Sequence, residues 1–94
     1  MVIKMTNDLL TLKDIKLFLR ISANEHDEIL LKMANAAIQI AAEYIDNEVL
    51  YSKNQAIMQG IMTHIGLMYD SNHITNNLPS QILQFYKPYM RLRI

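Results

Sequence analysis

The polar residues Glu28, Lys32, Asn35, Gln39, Glu43 and Asp46 recur at intervals of three and four, the spacing that sets side chains on one face of an α-helix. They predict a helix from about Glu25 to about Asn47. Around this stripe Ile29, Leu30, Leu31, Met33, Ile38, Ile40, Tyr44 and Ile45 are interleaved with Ala34, Ala36, Ala37, Ala41 and Ala42. So broad an apolar arc exceeds the roughly 100° stripe of a helix that packs on one side only, so this is a central helix with neighbours on two sides. Its alanines let those neighbours come close.

The flanking sequence supplies the neighbours. Thr11, with Asp14 three residues on, forms an acidic capping box for a first helix whose apolar stripe is Leu12, Ile15, Phe18 and Leu19; Arg20 falls at its negative end. Residues 1–10 read as an N-terminal arm. ISANEH breaks the first helix, and Asn24 is placed to cap the second, with Glu25, Asp27 and Glu28 in its first turn. Ser52 is the expected cap of a further long helix through about Tyr69, carrying Ile57, Ile61, Ile65 and Met68 on one row and Met58, Met62 and Tyr69 on the next. The row Ala56, Gly60, His64 points to a close contact, since glycine inside a helix costs about 1 kcal/mol against alanine. DSNHITNN is a polar turn, Pro79 suits the first position of a short last helix bearing Ile82, Leu83 and Tyr86, and Pro88 should end it. The expected fold is all-α: a small helical bundle with a short first helix, two long central helices and a short C-terminal helix, forming one domain over residues 11–94.

A chain of 94 residues buries a limited share of its unfolded surface, so its own stability should be modest. Hydrophobic residues make up 51% and charged residues 19%, lean in charge for a free monomer, which points to apolar surface covered by another chain. Absence of cysteine excludes disulfides, thiolate metal sites and cysteine nucleophiles. No apolar run approaches the roughly 18 residues that span a bilayer, and MVIKMTND has no export signal, so no membrane partner is expected. Residues 1–50 carry five basic and eight acidic side chains, a balance of −3, and residues 51–94 carry four and one, a balance of +3. Glu25 to Glu48 is the acidic block; Lys87, Arg91 and Arg93 form the basic end.

No catalytic constellation emerges. His26, His64 and His73 make no ligand pair at helical spacing, so neither a metal nor another cofactor is expected; His64 reads as a partly buried histidine, and His26 and His73 as solvated turn residues. Glu43 and Asp46 extend the polar stripe and Glu48 lies near its end, so a solvated face explains them better than acid–base chemistry. There is no glycine-rich phosphate loop and no nucleophile elbow. Met33, Met58, Met62 and Met68 fall on helical rows expected to be buried, so core filling explains them better than a partner-binding groove. Tyr86, Tyr89, Lys87, Arg91 and Arg93 interleave aromatic and basic groups over a stretch too short to specify nucleic acid.

Two helices joined by a short turn, TLKDIKLFLRISANEHDEILLKMANAA, raise the question of a DNA-reading helix-turn-helix. A recognition helix presents basic or amide groups at its N-terminal end, whereas this one begins with Glu25, Asp27 and Glu28, which repel phosphate. The pair is a packing unit. A dimeric helical DNA-binding regulator using Lys87, Arg91 and Arg93 on phosphate remains the alternative.

In order along the chain, LFLRI, DEILLKMANAAIQIAAEYI, QAIMQGIMTHIGLMYD and LPSQILQFYKPYMR resemble the head-tail connector family of tailed bacteriophages, small helical head-completion proteins often labelled DNA-packaging proteins. The resemblance covers most of the chain from Thr11 to Arg91. Two departures are DSNHITNN after the tyrosine of the long third helix, and Met90 inserted in the ending Pro88, Tyr89, Met90, Arg91. The resemblance implies a non-enzymatic phage or prophage protein that forms a homo-oligomeric ring under the portal, extends the DNA channel and receives a neck or tail-completion protein. It implies as partners other copies of itself at the portal's symmetry, the portal protein, the next neck protein and non-specific contact with packaged DNA. A ring needs one patch to meet a different patch on the next subunit, and the expected intersubunit contacts set Glu43, Asp46 or Glu48 against Lys87, Arg91 or Arg93 of a neighbour.

Overall fold

Thr11 Oγ1 accepts from the Asp14 backbone N–H at 3.1 Å and Asp14 Oδ2 accepts from the Thr11 N–H at 3.3 Å, so the capping box forms as expected and starts α1, Leu12–Leu19. A computed structural model describes residues 10–52, 54–74 and 77–90. Helix α1 ends where Arg20 turns left-handed at φ 60°, freeing the Ile21 N–H to close back on the Lys16 carbonyl at 2.9 Å. Leu10, placed with the arm by the sequence pattern, is buried in the core.

Next come α2 (Asp27–Tyr44), a single turn α3 (Asn47–Leu50), α4 (Gln55–Ser71), α5 (Ser80–Tyr86) and a 3₁₀ turn, Lys87–Tyr89. The fold is a small all-α bundle; the described residues contain no strand, and only an isolated antiparallel bridge joins Ile45 to Met90. Helix α2 lies against α4 and also touches α1 and α3, while α4 touches α2, α1 and α5. Both long helices are therefore central. Leu30, Met33, Ala34, Ala37 and Ala41 of α2 and Ile57, Ile61, Ile65 and Met68 of α4 are sealed in one core with Ile15, Leu50, Ile82 and Tyr86.

Several boundaries differ from expectation. Asn24 does not cap α2: His26 holds that position without a side-chain bond, because the Asn24 amide oxygen is taken by Lys16 Nζ at 2.6 Å. Helix α2 stops at Tyr44, since Ile45 is extended at φ −123°, ψ 134° and pairs with Met90. Ser52 does not begin the next long helix; its hydroxyl donates to the Val49 carbonyl at 2.6 Å and closes α3. Asn54 caps α4, accepting from Ala56 N at 2.8 Å and Ile57 N at 3.4 Å. Pro79 is the N-cap of α5, one residue before the expected position, and the α-helix ends at Tyr86, ahead of Pro88.

Two apolar residues expected inside are on the surface, Phe18 at 41% and Ile29 at 37% exposure. At 100° per residue Phe18 lies about 90° from the direction shared by Leu12, Ile15 and Leu19, and Ile29 is about 100° from Leu30, so each sits on the flank of its helix.

Gly60 is a contact point, as its row predicted. A Cβ there would lie 2.6 Å from Tyr86 Cε1 and 2.8 Å from Phe85 Cβ, so α5 seats on α4 where that side chain is missing. At Gly66 a Cβ would meet only the end of the Leu19 side chain, at 3.2 Å. Gly60→Ala is therefore expected to destabilise the protein by about 1–3 kcal/mol despite its gain in helix propensity. Gly66→Ala, facing a flexible partly exposed leucine, should be neutral or stabilising by up to about 1 kcal/mol. Urea unfolding of the two variants checks the contrast.

Candidate assembly surface

Periodicity put Glu28, Lys32, Gln39, Glu43 and Asp46 on the outside, and the structure leaves all five exposed, with Asn35 half-buried among them. Glu43 lies in the last turn of α2, which holds no basic residue, and Asp46 and Glu48 follow, both exposed. A carboxylate at the negative end of a helix dipole, as Glu43 is, is mildly opposed by it, by roughly 0.3–1 kcal/mol, whereas Glu48 lies in the first turn of α3, where negative charge is favoured. Lys87 is exposed at the start of the 3₁₀ turn; Arg91 and Arg93 lie outside the described residues. The Ile45–Met90 bridge sets the segment holding Lys87 beside the end of α2. Of the basic candidates, Lys87 thus lies in the segment that closes on the end of α2, a placement that no local pattern in the sequence reveals.

A second surface feature lies at the α1–α2 turn. Lys16 Nζ donates to Asp27 Oδ1 at 2.8 Å as well as to Asn24, tying the middle of α1 to the first turn of α2. The ion pair is partly buried, with the Lys16 side chain 14% and the Asp27 side chain 32% exposed. Beside it runs an open groove of about 390 Å³ walled by Leu12, Lys13, Leu17 and Ile21. Leu17 is the most exposed large apolar side chain of the described residues at 68%; Tyr51, at 44%, stands outside the groove. The sequence signal for the ion pair was slight: a lysine late in one helix and an aspartate early in the next meet whenever a tight turn folds the two helices together.

The histidines part company. His26 is exposed but not merely solvated: its Nδ1 and the Tyr69 hydroxyl share a 2.8 Å hydrogen bond, and the rings meet edge-on at 5.7 Å, joining the α2 N-terminus to α4. His73 is exposed beyond α4. His64 is wholly buried, more than the partial burial expected, and burial pushes its imidazole below the ordinary value of 6.5. Tyr86 is equally buried; its hydroxyl makes no hydrogen bond among the described residues, and burial pushes its phenol up. No group of three or more His, Cys, Asp or Glu side chains among the described residues has metal-site geometry, and none of the described helices is long and apolar enough to cross a membrane.

These features define a small all-α protein that turns charges and a few large apolar side chains outward. A family model described as phage gp6-like head-tail connector protein matches residues 9–84, and the chain belongs to that family. Its role is that of a structural phage connector. No curated protein and no solved structure matches the chain.

Because burial lowers the His64 imidazole from its ordinary value of 6.5 in the folded state, the unfolded state gains protons first as pH falls. Stability from this residue is complete above that value and is lost progressively below it. His64→Leu should flatten the fall of the urea midpoint between about pH 7.5 and pH 5. A wild-type slope retained in the variant would assign the acid sensitivity to other groups.

Proposed function

We propose that the chain acts as a head-tail connector by assembling into a closed ring under the portal, continuing the DNA channel and receiving a neck or tail-completion protein. The observation that carries this reading is the family match over residues 9–84, joined to a fold whose two unlike surface features, a charged end and exposed apolar side chains, suit a heterologous contact. The ring would form in the host cytoplasm during assembly and remain in the virion neck.

In this reading Glu43, Asp46 and Glu48 form the acidic side of the subunit contact, with Lys87, Arg91 and Arg93 of a neighbour as the basic side. Exposed pairs contribute only about 0–1 kcal/mol each, so they set orientation. Apolar burial by groups such as Phe18, Ile29 and Tyr51, each more than a third exposed, supplies most of the association. Packaged DNA would be touched without sequence preference, through phosphate alone.

Light scattering after size-exclusion chromatography, with and without purified portal and at low and high salt, tests the proposal. A closed ring, formed alone or on addition of portal, is expected, and Glu48→Lys with Lys87→Glu should assemble better than either single change. A dimer indifferent to portal that binds duplex DNA with a steep salt dependence would contradict the connector ring and favour a regulator.

A further inference from the structure

We propose that α5 and the 3₁₀ turn that continues it form a latch, which lets go of α4 as one unit while α2 and α4 stay packed, and that the buried Tyr86 hydroxyl sets how readily it lets go. The inference concerns one chain and does not rest on the ring.

Three observations carry it. Among the described helices α5 packs chiefly on α4, whereas α4 is held by α1, α2 and α5, so losing the α5 contact leaves the central pair in place. Helix α5 has seven residues, no side-chain hydrogen bond at its N-cap, no acidic residue in its first turn and no basic residue in its last; a helix so short does not persist in water unless packing holds it. Undocking and loss of the helix are therefore one event. The seat itself contains a cost. Only Ile82 and Tyr86 of α5 are fully buried, and Tyr86 takes into the core a hydroxyl that makes no hydrogen bond among the described residues. In water that group is solvated, so docking gives up its hydration without replacing it.

The ring of Tyr86 fills the notch at Gly60, where its Cε1 stands 2.6 Å from the position a Cβ would take. Phenylalanine would fill the notch with the same ring and bury no polar atom. The hydroxyl thus weakens the seat without altering its shape, and segments of low local stability are those that open first. Opening has a second effect. Met90 follows the 3₁₀ turn and pairs with Ile45, so release of the turn with α5 parts this pair at the point where α2 ends, next to Asp46 and the turn α3 bearing Glu48. The latch links the Gly60 face of α4 to the acidic end of α2.

Native-state hydrogen exchange, followed by NMR at fixed pH and temperature, tests the latch. The Leu83 and Lys87 amides donate to the Pro79 and Leu83 carbonyls and report α5; those of Ile61 and Ile65, buried within α4, report the core. The two α5 amides should share one protection factor, about tenfold or more below that of α4, and Tyr86→Phe should raise it about fivefold or more. Gly60→Ala, which crowds the same seat, should lower it. Unrelated values at Leu83 and Lys87, or protection in α5 equal to that in α4, overturns the latch, since α5 would then fray residue by residue or open only when the whole fold does. Protection in α5 left unchanged or lowered by Tyr86→Phe overturns the role of the hydroxyl.

Discussion

The architecture depends on α4 being buried from two sides. Ile57, Ile61, Ile65 and Met68 are closed off entirely, and α4 lies against α2 as well as α5. The α2 contact is made close by Ala34, Ala37 and Ala41, all fully buried, and the α5 contact by Gly60, where Tyr86 and Phe85 occupy the space of a side chain. Small residues on the long helices thus set the spacing of the bundle. Everything on the outside, from the acidic stripe of α2 to the groove beside α1, takes its position from that spacing.

The consequence for function is a division of the surface. The inner faces are committed to the core, and the described residues that face outward include the outer stripe of α2, the end where Met90 pairs with Ile45, the groove beside α1 and the flanks bearing Phe18, Ile29 and Tyr51. None of these is a catalytic arrangement. They suit the structural role of the phage head-tail connector family, whose model matches residues 9–84.

Where the physics is local, the sequence was sufficient. The Thr11–Asp14 capping box, the polar stripe of α2 and the close contact at Gly60 were all readable from spacing, because each is decided within a few residues of chain. Where two nearby residues could perform the same task, it was not. Ser52 and Asn54 are both good caps, and only the extra turn α3, which uses Ser52, leaves the task to Asn54. Asn24 was drawn away from α2 by Lys16, eight residues earlier. The end of α2 was set by Met90, a contact across the whole fold that no helical period encodes. For the candidate surface, Glu43, Asp46, Glu48 and Lys87 were legible as charges in solvent, but the closing of the Lys87 segment on the end of α2 was not. Arg91 and Arg93 lie outside the described residues.

The proposed ring makes this fold a repeating unit with its charged end turned toward a neighbour. Electron cryomicroscopy of the chain assembled on its portal is the most direct measurement. The account predicts one closed ring of this fold below the portal, with residues 43–48 of each subunit buried against the next. A portal without such a ring, or a ring in which residues 43–48 face open solvent and the contacts run through the inner faces of α2 and α4, would contradict it.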